Sequence, residues 1–457
     1  MNNVISFTNY YRSWNLTEEA TKRIFYPKNT NDIKKILKKI YSEKEKFLIK
    51  TGNCGHGDKT VLSNGKYVIS LKNLNKIKKF NKRKKTIDLE SGCYLFSVVK
   101  YLEKKSFKIL NVPGGKTVSV GGAIAGNVHG RPQMQKYSVF GDNIIFLKVL
   151  DENGVIKKIS RKNKLFFDIV GGLGTNGVII EARVKIFEIK SNNYVLKNFL
   201  INSKKAFYKF DKKNRVYYGY LNYFNNDFLG KFFTINEANK NLNHEIKKKK
   251  DIFFKIINIL KIDTLMSFFI NNLSLKIFYF LIFLIFRNNL FKKNEYIDFK
   301  RSIYFINVNT YLPYYFRKGM IEIQFSVEKG KLFHLIDKLK KLQSNNNVYP
   351  YFFILKKMEK SHKKYIFNFP KYNHCISIGF PKKTVIRNKI FFKSLYKILG
   401  QYSCNLYITK DEIFMDYTSN LGMIINKKRL KSFNKLSSSD FKEKILKKFS
   451  FRKNNFN

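Results

Sequence analysis

The apolar positions of the first half of the chain fall into short runs separated by glycine-rich turns. Residues 31–37 place Ile33, Ile36 and Leu37 at helical spacing after the Tyr26-Pro27 turn, which predicts an amphipathic helix. Short apolar runs at 47–50, 67–71 and 86–89 predict strands, and residues 92–103 predict a helix. This alternation of short elements predicts a mixed arrangement of helices and strands.

Two turn sequences mark the end of this half. A hairpin is predicted between residues 143 and 159, because two apolar runs flank Asp151-Glu152-Asn153-Gly154. Residues 172–177, G-L-G-T-N-G, match G-x-G-x-x-G, which in nicotinamide-binding proteins opens a helix. Here β-branched residues alternate through 178–186 and predict a strand, so we reject a nicotinamide site on this context.

After about Ile189 the chain contains less glycine and more aromatic residues. Strands are predicted at 303–308, 320–327, 351–355, 375–380 and 405–408. Helices are predicted at 333–342 and 391–399, and a further one after Ser439-Asp440. We therefore predict an α+β second domain built around an antiparallel sheet.

Composition adds a strong positive charge, since 89 Lys and Arg against 32 Asp and Glu give a formal net charge of +57. Such a charge fits nucleic-acid binding or attachment to an anionic membrane. The lysines are scattered without a single basic arm, and Asn, Ile, Phe and Tyr are enriched with them. We therefore attribute most of the charge to compositional bias, rank nucleic-acid binding low, and keep a peripheral membrane role open.

Cysteine usage and the N-terminus indicate the compartment. The cysteines, Cys54, Cys93, Cys375 and Cys404, form no C-x-x-C pair, which argues against a metal site or a disulfide framework. The first residues lack the pattern of a signal peptide, so we expect a cytoplasmic protein. Residues 277–286 are apolar but well short of the roughly 20 residues that span a bilayer. We expect them in the core or in a lipid-facing patch.

Residues 111–130, N-V-P-G-G-K-T-V-S-V-G-G-A-I-A-G-N-V-H-G, concentrate small residues in a chain otherwise rich in Lys, Asn, Ile and Phe. Glycine lets the backbone approach a large ligand, and successive N–H groups in such a loop form a nest for phosphate oxygens. The ring of His129 can donate, accept or carry charge. We therefore predict a cofactor cradle with His129 at its reactive end. A further glycine-rich loop, 52–58, directly follows a predicted strand.

The two glycine-rich segments and G-G-L-G-T-N-G-V-I at 171–179 occur in an order and spacing that resemble a known family. They are similar to the PCMH-type FAD-binding domain of the vanillyl-alcohol oxidase superfamily, and most similar to its decaprenylphosphoryl-β-D-ribose 2′-oxidase group. N-H-C-I-S-I-G-F-P at 373–381 and L-Y-I-T-K-D at 406–411 extend the resemblance. It implies an α+β fold with a two-subdomain FAD-binding domain at 1–189, an antiparallel-sheet substrate domain at 190–404, and a segment at 405–457 that returns to the FAD domain.

The resemblance also implies which residues contact FAD. The first loop would wrap the pyrophosphate, the second would pass over the pyrophosphate and the isoalloxazine, and Tyr407 would lie near the flavin. The expected FAD-binding residues are Gly52, Asn53, Cys54, Gly55, His56, Gly57, Asp58, Gly114, Gly115, Ser119, Gly121, Gly122, Gly126, His129, Gly130, Ile179 and Tyr407.

The expected substrate-binding residues are Gln324, Lys356, Asn373, Cys375 and Lys410, and the expected catalytic residues are Lys410 and His129. A partly desolvated Lys410 would hold its proton less tightly and act as a base, or would stabilise a developing alkoxide as the ammonium. Lys356 would bind a lipid phosphate as a point charge. The structural alternatives are solvated lysines, a buried small residue at Cys375, and a structural His374 that points away from Cys375.

Two features depart from the family pattern. Many relatives attach FAD covalently through a histidine of the first loop, but that position falls at Cys54 when the loop is aligned on Gly57-Asp58, so we expect non-covalent FAD despite the neighbouring His56. The segment between Asn307 and Met320 is shorter than in the most similar group, which leaves the identity of the sugar open.

The resemblance implies an FAD-dependent oxidase or dehydrogenase that acts on a secondary sugar hydroxyl. The expected substrate is a polyprenyl-phosphate ribose, oxidised at C2′ by hydride transfer to flavin N5 as the first half of a 2′-epimerisation. A separate short-chain reductase would complete the epimerisation, and an anionic membrane on its inner face would be a further partner. The alternatives are a soluble aldonolactone or alditol oxidase and, more distantly, a basic nucleic-acid-binding protein.

Overall fold

The computed structural model describes residues 5–6, 10–12, 18–20, 23–44, 47–51, 67–131, 137–151, 153–174, 176–191, 193–223, 229–238, 273–277, 280, 294–303 and 320–410. The first glycine-rich loop at 52–58, the shortened segment at 304–319 and the predicted C-terminal helix lie outside these residues. No helix of the described part of the chain has the length and apolar character needed to cross a bilayer.

The first half contains two larger sheets. A four-stranded sheet has the order β1 (Ile5–Ser6), β4 (Arg23–Phe25), β6 (Tyr67–Ser70) and β5 (Phe47–Lys50), with β4, β6 and β5 parallel. A five-stranded antiparallel sheet has the order β11 (Ile156–Ser160), β10 (Ile144–Leu150), β12 (Val178–Lys185), β8 (Thr86–Glu90) and β7 (Ile77–Asn81). Two-stranded pairs join β2 (Tyr10–Arg12) to β3 (Glu18–Ala20) and β9 (Phe107–Lys108) to β13 (Phe187–Glu188).

Four α-helices of the described residues accompany these sheets: α1 (Thr30–Ser42), α2 (Leu95–Glu103), α3 (Val120–Ala125) and α4 (Lys164–Ile169). A 3₁₀ turn covers Phe140–Asn143. The predicted helix at 31–37 is confirmed as α1, whose first turn is capped by the side chain of Asn29, 2.9 Å from the amide nitrogen of Asp32. Its apolar stripe, including Ile33 and Ile40, is buried against the four-stranded sheet.

The predicted hairpin is confirmed as β10 and β11. The Asp151 carboxylate accepts hydrogen bonds from the amides of Asn153 and Val155, at 3.0 and 2.8 Å, and Gly154 supplies the positive φ that the turn requires. The G-x-G-x-x-G turn also leads into a strand, β12, as predicted. Gly174 and Gly177 both have positive φ there, so these glycines serve a strand connection rather than a helix start.

The predicted antiparallel sheet of the second half is confirmed as eight strands. Their spatial order is β17 (Asn294–Asp298), β14 (Asn193–Ile201), β16 (Gly230–Glu237), β15 (Tyr217–Leu221), β19 (Phe352–Lys357), β20 (His374–Pro381), β18 (Met320–Val327) and β21 (Asn405–Leu406). The predicted strand at 303–308 is wrong at its first residue, because Ile303 ends a short helix, α6 (Phe299–Ile303). Residues 304–308 lie outside the described part.

Helices cover one face of this sheet. They are α5 (Lys204–Lys213), α7 (Leu332–Asn345), α8 (Lys382–Arg387) and α9 (Lys389–Gln401), with a 3₁₀ turn at Lys329–Lys331 before α7. Phe325, Leu355 and Ile376 point from neighbouring strands into a core shared with α7 and α9. Because side chains alternate along a strand, the residues between them occupy the opposite face.

That opposite face is polar and buried. Glu322, Gln324 and Ser326 alternate along β18 with apolar residues, and each is at most 5% exposed. In the antiparallel register Gln324 pairs with Ser377, and Cys375 pairs with both Ser326 and Lys356. Residues paired in this way project to the same face. The sheet therefore presents a buried polar surface, and residues of the first half lie against it.

Candidate active site

The second glycine-rich segment folds partly as a helix, which corrects the expectation of an open loop with free N–H groups. α3 begins after Ser119, whose hydroxyl accepts from the amide of Gly122 at 3.3 Å. The amide of Gly121 donates to the carbonyl of Ser91 at 2.7 Å, and that of Gly126 donates to the carbonyl of Gly122 at 2.9 Å. These amides already have protein partners, so a phosphate nest cannot be built from them.

Several of these glycines are required by contacts within the protein. A Cβ on Gly130 would lie 2.1 Å from the carbonyl oxygen of Val112, and one on Gly121 would lie 2.6 Å from Thr51 Cγ2. A Cβ on Gly126 would lie 2.9 Å from Thr409 Cγ2. Small residues at these positions therefore bring the backbone of the segment close to the end of β5 and to the segment after β21, rather than only close to a ligand.

The start of α3 is joined to the end of β5, where the first glycine-rich loop begins. Thr51 Oγ1 and Ser119 Oγ are 2.9 Å apart and share a hydrogen bond. Thr51, the last described residue before the first glycine-rich loop, therefore contacts the second segment at Ser119, and residues 52–58 lie outside the described part. The FAD contacts expected of that loop, and the question of attachment at Cys54 or His56, stay predictions.

His129 occupies the junction between the first half and the large sheet. Its Nε2 accepts a hydrogen bond from Gln324 Nε2 at 2.9 Å, and its Nδ1–H donates to the carbonyl of Gly130 at 3.2 Å. Burial, and after it the nearby Lys356 ammonium, lower the pKa of His129 to about 3. His129 is therefore a neutral imidazole at physiological pH with its proton on Nδ1.

Tyr407 follows the last strand of the sheet and is bound back to the glycine-rich segment. Its hydroxyl donates to the carbonyl of Gly126 at 3.1 Å, and the hydroxyl of Thr409 donates to the same oxygen at 2.9 Å. The Tyr407 ring stacks on Phe369 with centroids 4.5 Å apart and lies 5.3 Å from the His129 ring. The chain thus contacts the first half at Tyr407, after Asn405–Leu406 has paired with β18.

Lys410 is held by a carboxylate that the sequence interpretation missed. Lys410 Nζ lies 2.7 Å from Glu322 Oε2, and the other oxygen of Glu322 accepts from the Ser377 hydroxyl. Glu322 is 5% exposed, so this ion pair is shielded from water. The signal was present in the sequence, because Glu322, Gln324 and Ser326 alternate within an otherwise apolar strand, and such polar positions face a site or a second layer.

Burial also affects Lys356, which interacts electrostatically with Glu322 and Lys410. Burial lowers the pKa of Lys356 to about 8, Glu322 raises it, and Lys410 lowers it further. Arg131, also missed from the sequence, contributes a further cation, and its guanidinium lies 5.4 Å from the centroid of the Tyr218 ring. Lys356, Lys410, Arg131 and Glu322 therefore form a group with more positive than negative charge.

Other expected site residues have mainly structural contacts. Asn373 Nδ2 donates to the carbonyl of Met358 at 2.9 Å, so this amide nitrogen already has a protein partner. Cys375 is fully buried on the polar face beside Lys356, and burial raises the pKa of its thiol, so it is not a nucleophile. Ile179 is buried in the core of the first half. Gly114 and Gly115 lie before α3 and are partly accessible.

His374 has the structural role that the sequence predicted. Its Nε2 is 2.9 Å from Asp211 Oδ1 on α5, so it points to the helix-covered face, away from Cys375.

The chemistry of this group fits an isoalloxazine ring, whose edge carries both N–H and C=O groups. Gln324 Oε1 is buried, and no residue of the described part hydrogen-bonds to it, so it is an acceptor that a bound N–H or O–H would satisfy. Tyr407 and Phe369 supply flat apolar surface nearby, and His129 a neutral polar edge. These residues would hold the ring of FAD.

Comparison with known proteins agrees with this assignment. Residues 21–160 match the family described as an FAD binding domain. Decaprenylphosphoryl-β-D-ribose oxidase of Mycolicibacterium smegmatis is 28% identical over 125 residues, which is 27% of this chain and 27% of that protein. L-gulonolactone oxidase of Mus musculus is 21% identical over 178 residues, 38% of this chain and 40% of that protein. The chain thus spans between about a quarter and two fifths of these relatives.

The solved structures extend the likeness to the whole fold. Cholesterol oxidase from Brevibacterium sterolicum superposes with a TM-score of 0.70 at 12% sequence identity, covering 98% of each chain. A second cholesterol oxidase structure, a His121Ala mutant, gives a TM-score of 0.65. Residues 21–160 therefore match an FAD binding domain, and the chain has an α+β fold like that of cholesterol oxidase with a large antiparallel sheet.

Proposed function

We propose that this protein is an FAD-dependent oxidoreductase that oxidises a secondary hydroxyl of a lipid-linked sugar phosphate, with C2′ of a polyprenyl-phosphate ribose as the preferred position. The observation that carries the proposal is the partly buried cationic group of Lys356, Lys410 and Arg131, with Glu322, beside His129 and Tyr407. Such a group suits a substrate with one anionic part and one hydroxyl to be oxidised. The similarity to decaprenylphosphoryl-β-D-ribose oxidase supports the same class.

Each side chain has a distinct part in this proposal. FAD, when bound non-covalently, supplies the acceptor for the hydride. The Lys410 ammonium, fixed by Glu322 at 2.7 Å, stabilises negative charge that develops on the substrate oxygen. His129 stays neutral and orients Gln324, whose free Oε1 accepts a hydrogen bond from a ligand. Lys356 and Arg131 attract the phosphate as cations.

A soluble aldonolactone oxidase is the second candidate, because four of the relatives with the longer matches are lactone oxidases. D-arabinono-1,4-lactone oxidase of Saccharomyces cerevisiae is 22% identical over 196 residues, 41% of this chain and 36% of that protein. A lactone carries no phosphate, so in this candidate no phosphate of the substrate would bind to Lys356 and Arg131.

The cofactor assignment is tested first, by the visible spectrum of the purified protein before and after acid precipitation. We expect a flavin spectrum that moves to the supernatant. Flavin that stays in the pellet would contradict the non-covalent assignment and point to Cys54 or His56. A colourless protein that does not take up added FAD would overturn the enzyme assignment.

The substrate is tested by anaerobic bleaching of the flavin absorbance. We expect bleaching by a short-chain polyprenyl-phosphate ribose and none by L-gulono-1,4-lactone. Bleaching by the lactone alone would favour the second candidate. The ketone product would pass to a short-chain reductase, which restores a hydroxyl of opposite configuration.

Affinity for the phosphate substrate is expected to depend on pH through Lys356. Its pKa of about 8 in the free protein means that its charge is present below that pH and is lost above it. The KM for the lipid phosphate should therefore rise as the pH increases from 7 to 9.5, while kcat changes less. In Lys356→Gln the KM should be high already at pH 7 and should lack this step. A step that persists in the variant would contradict the role of Lys356.

A further inference from the structure

The most exposed apolar side chains of the large-sheet half lie at one end of the sheet. Ile386 at the end of α8 is 61% exposed, and Ile390 at the start of α9 is 77% exposed. They are four residues apart, so their Cα atoms lie within about 14 Å of each other. The other apolar residues at this point of the two helices, Val385, Phe391 and Phe392, face the core as expected for apolar side chains. The two isoleucines therefore face away from the core, where burial does not explain them.

Basic residues surround these isoleucines and acidic residues are absent from the sequence there. The chain contains no Asp or Glu between Glu359 and Asp411. Within that stretch the basic residues of α8 and α9 are Lys382, Lys383, Arg387, Lys389, Lys393 and Lys397. Lys383, Arg387 and Lys389 are exposed together with the isoleucines. The surface is thus both apolar and strongly cationic.

A second exposed apolar segment lies at the same end of the sheet. Leu273, Ile277 and Phe280 are 66%, 52% and 56% exposed, while Leu275 between them is buried in the core of the sheet. Lys276 Nζ lies 5.5 Å from the ring of Tyr349, which precedes β19.

The contact of Lys276 with Tyr349 places this segment at the end of the sheet where α8 begins. Tyr351 donates its amide to the carbonyl of Gly379 at 2.6 Å, and α8 starts three residues after Gly379. Both apolar segments therefore belong to the end of the sheet where β19 starts and β20 finishes.

We propose that this end of the sheet, formed by residues 273–277, Phe280 and residues 382–393, docks on the surface of an anionic lipid bilayer. Isoleucine and phenylalanine side chains enter the boundary between headgroups and acyl chains, and the flanking lysines and arginine bind the lipid phosphates. The combination of exposed apolar side chains with cations favours a bilayer over a nucleic acid, which would use the cations but leave Ile386 and Ile390 exposed.

Docking at this end also orients the candidate active site. β18 runs inward from Met320 at the same end, and Gln324 lies four residues along it, a rise of about 14 Å. A lipid anchored in the bilayer would therefore need to extend only a short distance to reach the polar face. This consequence rests on the proposed function, whereas the docking itself does not.

The test is sedimentation of the FAD-loaded protein with vesicles, without substrate, at 0.1 M NaCl. The vesicles contain phosphatidylcholine alone or with 30% phosphatidylglycerol. We expect binding to the anionic vesicles. Replacing Lys383, Arg387 and Lys389 by glutamine should weaken it about a hundredfold, because each basic residue near a charged membrane contributes a factor of about five. Ile386→Asn with Ile390→Asn should weaken it about tenfold or more.

Matched controls separate this surface from the charge of the whole protein. Lys82, Arg83 and Lys84 are exposed in the turn between β7 and β8, and their replacement by glutamine removes the same residue types. Val155 and Ile156, 52% and 45% exposed in the β10–β11 hairpin, are the controls for the isoleucines. Both control variants should bind within about threefold of the unmodified protein.

Equal loss in the test and control variants would overturn the proposal, because binding would then follow net charge alone. The proposal would also be overturned if the Lys383, Arg387 and Lys389 variant lost binding to a single-stranded oligonucleotide while its binding to vesicles stayed unchanged. The flavin spectrum and circular dichroism of each variant show that it is folded. Bleaching by substrate is scored separately, so failure of the docking surface and failure of the proposed function give different results.

Discussion

Replacing Lys410 by methionine is expected to slow oxidation of the sugar substrate by about 10²- to 10⁴-fold, the range in which a positioned acid–base or charge-stabilising group contributes. Methionine keeps most of the volume and removes the charge that Glu322 holds in place. The loss should appear in kcat, measured as the rate of flavin bleaching in a single turnover, because the charge on the substrate oxygen develops during the reaction.

The matched control is Lys360→Met, since Lys360 is exposed and makes no contact to the candidate active site in the described part of the chain. It should retain activity within about twofold. Glu322→Gln keeps a hydrogen-bond acceptor for Lys410 but removes the carboxylate, and should lose about tenfold. A Lys410→Met enzyme with normal kcat and only a raised KM would contradict the role of Lys410 in the chemical step.

Replacing Asp211 by alanine is expected to lower the free energy of unfolding by about 3–5 kcal/mol, the usual cost of removing one partner from a buried ion pair. Asp211 on α5 is 1% exposed. Its carboxylate oxygens lie 2.7 Å from Lys329 Nζ and 2.9 Å from both Lys357 Nζ and His374 Nε2, and Tyr217 donates to it at 3.0 Å. Its removal leaves these donors without their acceptor, which urea unfolding followed by circular dichroism would detect.

The control is Asp337→Ala, because Asp337 forms a 2.7 Å ion pair with Lys204 in which both side chains are about half exposed. Such pairs contribute at most about 1 kcal/mol, so its unfolding midpoint should move little. Equal effects of the two substitutions would contradict the central role of Asp211.

The contribution of Asp211 should also depend on pH. Burial alone raises the pKa of Asp211, but hydrogen bonds from His374, Lys329 and Lys357 outweigh it and hold the pKa well below its usual range. A carboxyl with a depressed pKa stabilises the fold above its unfolded pKa, about 3.9, and loses that contribution as the pH falls toward the folded value. The difference between the unmodified protein and the alanine variant should therefore be constant from pH 5 to 7 and shrink below about pH 4.

Local patterns predicted most elements of the fold. The helix at Asn31, the β10–β11 hairpin, the strand after the G-x-G-x-x-G turn and the strands at Met320 and His374 all follow from periodicity and turn chemistry, which act over a few residues. The error at Ile303 has the same origin. A short apolar run fits a strand or the end of a buried helix equally well, and only the packing of α6 decides between them.

The candidate site was also predicted in part, but from sequence motifs and not from periodicity. His129, Gln324, Lys356, Tyr407 and Lys410 were named through motifs, and the structure brings all five to the junction of the first half with the polar face of the sheet. Glu322 and Arg131 were missed because charge pairing across strands depends on register, which a single sequence does not state. For the same reason the sequence did not indicate that burial would lower the pKa of Lys356.

By itself, the sequence determined the order of the elements, the resemblance of the first half to an FAD-binding domain and the strand, in place of a helix, after the Gly172–Gly177 turn, because each depends on neighbouring residues. Only the tertiary structure decided which of 89 basic residues meet at one site. Antiparallel register placed Cys375 beside Lys356, and the return of the chain at Tyr407 bound it to Gly126, 281 positions earlier. Such contacts form when two faces of the protein pack together, and the spacing of residues along the chain does not predict them.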